Sequence, residues 1–80
     1  MQIHLISYHR PTDTYEFKAY DDGFDTHTAT IIVTHRDDQT DITVEINPAC
    51  GIPNTMHERV EWLCLHADDL HRAIKNALED

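Results

Sequence analysis

From Asp41 to Ile46 the residues alternate without a break: Ile42, Val44 and Ile46 fall on one side and Asp41, Thr43 and Glu45 on the other. A period of two that separates apolar from polar side chains is the pattern of a strand with one face on a core and one in water, and it argues for an antiparallel sheet. Residues 14–20 repeat the pattern, with Tyr15, Phe17 and Ala19 opposed to Glu16, Lys18 and Tyr20. Two further segments, 2–8 (QIHLISY) and 28–36 (TATIIVTHR), are rich in β-branched and aromatic residues. Arg10-Pro11-Thr12-Asp13 and Asp37-Asp38-Gln39 carry turn chemistry, so the chain reads as two consecutive hairpins with strands over about 2–8, 14–20, 28–36 and 40–46. Asp21-Asp22-Gly23-Phe24-Asp25 links them. In the first strand Ile3 and Leu5 compete with His4, Ile6 and Tyr8 for the inward face.

Asn47 to Asn54 contains two prolines and a glycine and reads as an irregular passage from sheet to helix. Thr55-Met56-His57-Glu58 then fits a capping box, in which a hydroxyl and a carboxylate satisfy orphan amides at a helix start. Met56, Val60, Leu63, Ala67, Leu70, Ile74, Ala77 and Leu78 recur at helical steps, which predicts one helix over about 56–78 with an apolar stripe as the lid of the sheet. The expected fold is α+β: a four-stranded antiparallel sheet with one C-terminal helix on one face, in a single domain over 1–80. The other face is left open, and Ile6, Tyr8, Glu16, Lys18, Tyr20, Thr30, Ile32, Thr34, Thr43 and Glu45 are placed there.

The formal charge is −9, from six Lys and Arg against fifteen Asp and Glu. Such a chain is repelled by nucleic acid and by anionic membranes and is drawn to a basic partner. Nine acids lie in the strand region against Arg10, Lys18 and Arg36, leaving −6 there. In a meander Asp13, Asp37 and Asp38 fall at one end of the sheet, and Asp21, Asp22 and Asp25 at the other. The partner-binding residues assigned from the sequence are therefore Tyr8, Asp13, Glu16, Tyr20, Asp21, Asp22, Asp25, Asp37, Asp38, Asp41 and Glu45.

Other chemistries find little to work with. Cys50 and Cys64 are too few for a disulfide framework and suit a reducing, cytoplasmic setting, with no signal peptide or membrane span expected. Ser7 is the one serine, no nucleophile, phosphate or zinc-protease motif surrounds it or either cysteine, and neither an enzyme nor a cofactor is expected. His57, Glu61, Cys64, Asp68 and His71 form a polar file along the helix, yet one straight helix does not converge four ligands on an ion. No metal site is assigned, and a metal-binding module on this file is an alternative that needs Cys50 or a strand histidine as a further ligand.

A compact acidic chain of this length, without export signal, enzyme motif or linker, resembles the small virus-encoded proteins that block bacterial defence, the anti-CRISPR proteins in particular. The resemblance lies in size and charge and carries no residue role with it. It implies a stoichiometric inhibitor, working in the cytoplasm of a bacterial host, that docks on a basic nucleoprotein effector and competes with steps that depend on DNA or guide RNA. The other alternative is a self-associating structural or accessory protein, a homodimer through the open sheet face.

Overall fold

The structure is a computed structural model, and it describes residues 1–23 and 25–79. Its sheet is an antiparallel meander in the order β1 (Gln2–His9), β2 (Thr14–Tyr20), β3 (Ala29–Arg36) and β4 (Gln39–Ile46). The β1–β2 connection is a short 3-10 turn, Arg10–Thr12, closed by Asp13 in the left-handed region (φ 49°, ψ 51°) with its N–H donated to the Arg10 carbonyl at 3.1 Å. Asp37 takes the same conformation (φ 48°) in the β3–β4 turn. Aspartate tolerates it better than a β-branched residue would, which is why both turns close on aspartates.

One irregularity decides the face of β1. Leu5 pairs with Phe17, but the next pair is Ser7 with Glu16, so Ile6 is an extra residue in the ladder. A bulge of this kind reverses the side-chain parity beyond it. Ile3 and Leu5 therefore share the inner face with Ala19 and Phe17, Gln2 and His4 share the outer face with Tyr20 and Lys18, and Tyr8 lies opposite Tyr15 on the inner face. The expectation that Tyr8 belongs to the open face is corrected: its ring centroid is 4.6 Å from that of Tyr15, on the side where the helices pack.

The inner face supplies Phe17, Ala19, Ala29, Ile31, Val33, Val44 and Ile46 to the core, all buried, and the helical layer adds Trp62 and Leu70. Asn47 and Asn54 hold the passage between the layers. Asn47 Nδ2 donates to the His27 carbonyl at 2.8 Å and its Oδ1 accepts from Ala49 N–H at 3.0 Å. Asn54 Oδ1 accepts from Ile46 N–H at 3.2 Å and from Arg59 Nε at 2.8 Å. An outward amide on edge strand β4 is thereby satisfied within the chain, which blunts that end of the edge.

The C-terminal segment is two helices, not one: α1 (Met56–Leu65) and α2 (Ala67–Glu79), separated at His66 (φ −116°, ψ 20°). Thr55 caps α1 as expected, its hydroxyl accepting Glu58 N–H at 3.2 Å. Neither Gly nor Pro lies between Asn54 and Glu79. The local signal for a restart is Asp68-Asp69 in the first turn of α2, where carboxylates favour a helix N-terminus. The apolar stripe is also corrected. Leu70 is buried and Leu63, Ile74 and Ala77 are partly buried against the core, but Met56 is 79% exposed and Val60 53%. The buried anchor of α1 is Trp62, 5% exposed, which stands outside the stripe.

Candidate protein-docking surface

The open face is built by the register. Gln2, His4 and Ile6 from β1 stand beside Glu16, Lys18 and Tyr20 from β2, then Thr30, Ile32 and Thr34 from β3, then Asp41, Thr43 and Glu45 from β4. Thr30 lies opposite Glu45, Ile32 opposite Thr43 and Thr34 opposite Asp41. The Thr14 and Thr34 hydroxyls are 3.2 Å apart and share a hydrogen bond across β2 and β3. Gln2 and His4 belong to this face as well, ahead of the bulge and in the same parity as Ile6.

At the end where β2 leaves the sheet, this face runs into a hollow of about 610 Å³ lined by Gln2, His4, Ile6, Tyr20, Asp21, Asp22, Gly23 and Asp25. Its floor is part aromatic, with the His4 and Tyr20 rings 5.9 Å apart, and its rim carries three exposed carboxylates. The Met1 ammonium approaches Asp22 at 3.9 Å; among the described residues no Lys or Arg side chain pairs with any of the three. Exposed carboxylates left without side-chain cations beside an aromatic floor present a negative potential outward, which is the complement of a guanidinium or ammonium.

The second acidic group lies at the opposite end of the sheet. Asp37 and Asp38 are exposed at the β3–β4 turn, and Asp13 is tied to the same end by its carbonyl, which accepts His35 N–H at 3.1 Å. Tyr8 donates its phenolic proton to Asp13 Oδ1 at 2.9 Å. That hydrogen bond, followed by desolvation and the Asp13 charge, raises the Tyr8 pKa above its ordinary value of 10.0. The structure thus brings Asp21, Asp22, Asp25 and Tyr20 to one hollow, sets Glu16, Asp41 and Glu45 across the open face, and leaves Asp13, Asp37, Asp38 and Tyr8 apart from both. His35, beside Tyr15 in an edge-on contact with ring centroids 6.1 Å apart, accepts or donates a hydrogen bond at Nδ1 with the Thr40 hydroxyl (2.9 Å).

Of the helical file, His57 and Glu61 are joined by Glu58, with ligand atoms all within 4.8 Å of one another and His57 Nε2 at 3.8 Å from Glu61 Oε2. Cys64, Asp68 and His71 are not part of that group, and the break at His66 turns the last two onto a different helix. Three donors on the first turns of one helix leave an ion mostly in water, and among the described residues no fourth ligand joins them. Cys50 and Cys64 are both free and exposed. Among the described residues no helix is long and apolar enough to cross a membrane.

These features define an acidic α+β domain, a four-stranded antiparallel sheet layered on two helices with one sheet face open. Comparison with protein-family models, curated proteins and solved structures finds no match to this chain.

Proposed function

We propose that this protein is an acidic protein-binding inhibitor that seats its open sheet face and the adjoining Asp21–Asp25 hollow on a basic surface of a nucleic-acid-binding effector, of the CRISPR type in a bacterial host. The observation that carries the reading is the hollow: three exposed carboxylates, free of Lys and Arg partners among the described residues, around a floor of Tyr20, His4 and Ile6. An Arg or Lys side chain of a partner finds there both a charge partner and an aromatic face. Glu16, Asp41 and Glu45 extend the negative potential across the sheet, so the domain occupies the place of phosphates and blocks nucleic acid by steric and electrostatic competition.

The test replaces Asp21, Asp22 and Asp25 together by Asn. Exposed ion pairs contribute about 0.5 kcal/mol each, so three of them give about a tenfold loss of affinity for the effector, and raising the salt erodes wild-type binding to a similar degree. Replacing Asp37 and Asp38 together by Asn, at the far end, weakens binding less. Equal binding by the triple variant and the wild type at low salt refutes the role given to the hollow.

A further inference from the structure

The two edges of the sheet are not alike. On β4, Asn54 occupies the Ile46 amide. β1 stands first in the strand order, so one side of its backbone has no strand beside it, and among the described residues no side chain or turn hydrogen-bonds to that backbone. Proteins guard such an edge with charged side chains, proline or a bulge. The chain has six Lys and Arg, fifteen Asp and Glu and three Pro, yet none of them falls within Gln2–His9. The guard that is present, the bulge at Ile6, leaves Gln2–Leu5 as a regularly paired stretch with an open outer side.

Two hollows flank that stretch, one on each face of the sheet. On the outer face lies the acidic hollow, whose lining includes Gln2 and His4. On the inner face a groove of about 200 Å³ runs between β1 and α2, with Ile3, Leu5, Phe17, Ala73 and Ala77 as its apolar lining and no carboxylate. Leu5 belongs to the inward row and is nevertheless 45% exposed.

We infer that β1 accepts an added strand: an extended segment of the basic partner, in which Lys or Arg alternates with apolar residues, pairs along Gln2–Leu5. Successive side chains of a strand point to opposite faces. One set of the added strand therefore stands over the carboxylates beside His4, and the other enters the apolar groove beside Ile3 and Leu5. Main-chain hydrogen bonds to β1 hold the segment, and the two unlike hollows select its alternation. Charge selects the occupant. Asp21, Asp22 and Asp25 have no Lys or Arg partner among the described residues, and Lys18, opposite His4 on β2, is not among the residues that line their hollow. A second copy of the chain brings the same carboxylates to the edge and is repelled. The inference rests on the acidic-face reading for the choice of a basic segment, and adds how that segment is held.

The probe is a synthetic peptide of about eight residues in which Lys and Val alternate, compared with a peptide of the same composition in which they form two blocks. Two-dimensional NMR of the full chain reads both affinity and site. The alternating peptide slows hydrogen exchange at amides within Gln2–Leu5 and binds about tenfold more tightly than the blocked one. Alternate amides of a strand face the same neighbour, so N-methylating all the Lys amides in one peptide and all the Val amides in another weakens only one of the two, by about tenfold. Equal binding of alternating and blocked peptides, without slowed exchange in β1, overturns the inference and leaves the acidic-face reading standing, since that reading needs charge alone. Slowed exchange at Gln2–Leu5 that appears without peptide and grows with protein concentration makes a second copy the occupant and also overturns it. Undiminished binding of the alternating peptide by the Asp21/Asp22/Asp25 to Asn variant, with exchange in β1 still slowed, overturns the choice of a basic segment together with the acidic-face reading.

Discussion

Trp62 is the side chain on which the position of α1 depends. It is 5% exposed, the only tryptophan in the chain, and it sits two residues from Val60, about 200° around the helix. Trp62→Ala removes a fully buried bicyclic ring and leaves a cavity between sheet and helix, a change that costs about 3–5 kcal/mol. A domain of this length has about 4–12 kcal/mol of stability in all, so the variant is at the edge of unfolding. Its indole Nε1 is buried with no hydrogen-bond partner. Trp62→Phe therefore loses part of the ring but also removes an unsatisfied donor that itself costs about 1–3 kcal/mol, and the two effects offset to within about 1 kcal/mol of wild type. Met56→Ala and Val60→Ala, at exposed positions, cost less than about 0.5 kcal/mol each. Urea unfolding followed by far-ultraviolet circular dichroism measures all four, since fluorescence is lost with the tryptophan. If Met56→Ala or Val60→Ala costs as much as Trp62→Ala, then α1 is rotated with the stripe against the sheet and the account of this layer is wrong.

Three further outcomes follow from local geometry. Thr55→Ala leaves the Glu58 amide uncapped and lowers stability by about 1 kcal/mol, measurable by the same urea titration, whereas Thr55→Ser has little effect. Asp13→Ala removes the acceptor that holds the Tyr8 proton, so the Tyr8 step of the ultraviolet titration moves down towards 10.0. Because the Tyr8 pKa is raised in the folded state, its contribution to stability is present below about pH 10 and is lost as pH rises through the raised value, and in Asp13→Ala that loss disappears. Asn54→Ala frees both the Ile46 amide and the Arg59 guanidinium at the edge of β4, costing about 1–2 kcal/mol and accelerating hydrogen exchange at Ile46.

Much of the sheet was legible because period-two patterning and turn chemistry act locally. Phe17 and Ala19, Val44 and Ile46 lie inward where alternation places them, and the turns at Asp13 and Asp37 use residues that accept a left-handed backbone. The bulge at Ile6 was not legible: no Gly or Pro marks it, and its effect is to reverse the side on which Tyr8 falls, whereas Gln2 and His4 ahead of it keep the open face that simple alternation with Ile6 gives them. The helical layer misled for a related reason. Met56, Val60 and Leu63 give a regular stripe, but a stripe says which residues share a flank, not which flank meets the sheet, and the bulk of Trp62 fixed the rotation instead. The separation into two acidic ends followed from hairpin order alone. The gathering of Asp21, Asp22 and Asp25 with Tyr20 and His4 around one hollow required the fold of the connecting loop and the register of β1.

The central claim, that the acidic face occupies a basic nucleic-acid site, is tested most directly by capture with the tagged protein from lysates of bacteria with and without an active CRISPR effector, at low and moderate salt. The account predicts a stoichiometric effector subunit, retained mainly at low salt, displaced by added nucleic acid and weakened by the Asp21/Asp22/Asp25 to Asn variant. Recovery of only its own copies, or an effector interaction indifferent to salt, to nucleic acid and to those three carboxylates, contradicts it.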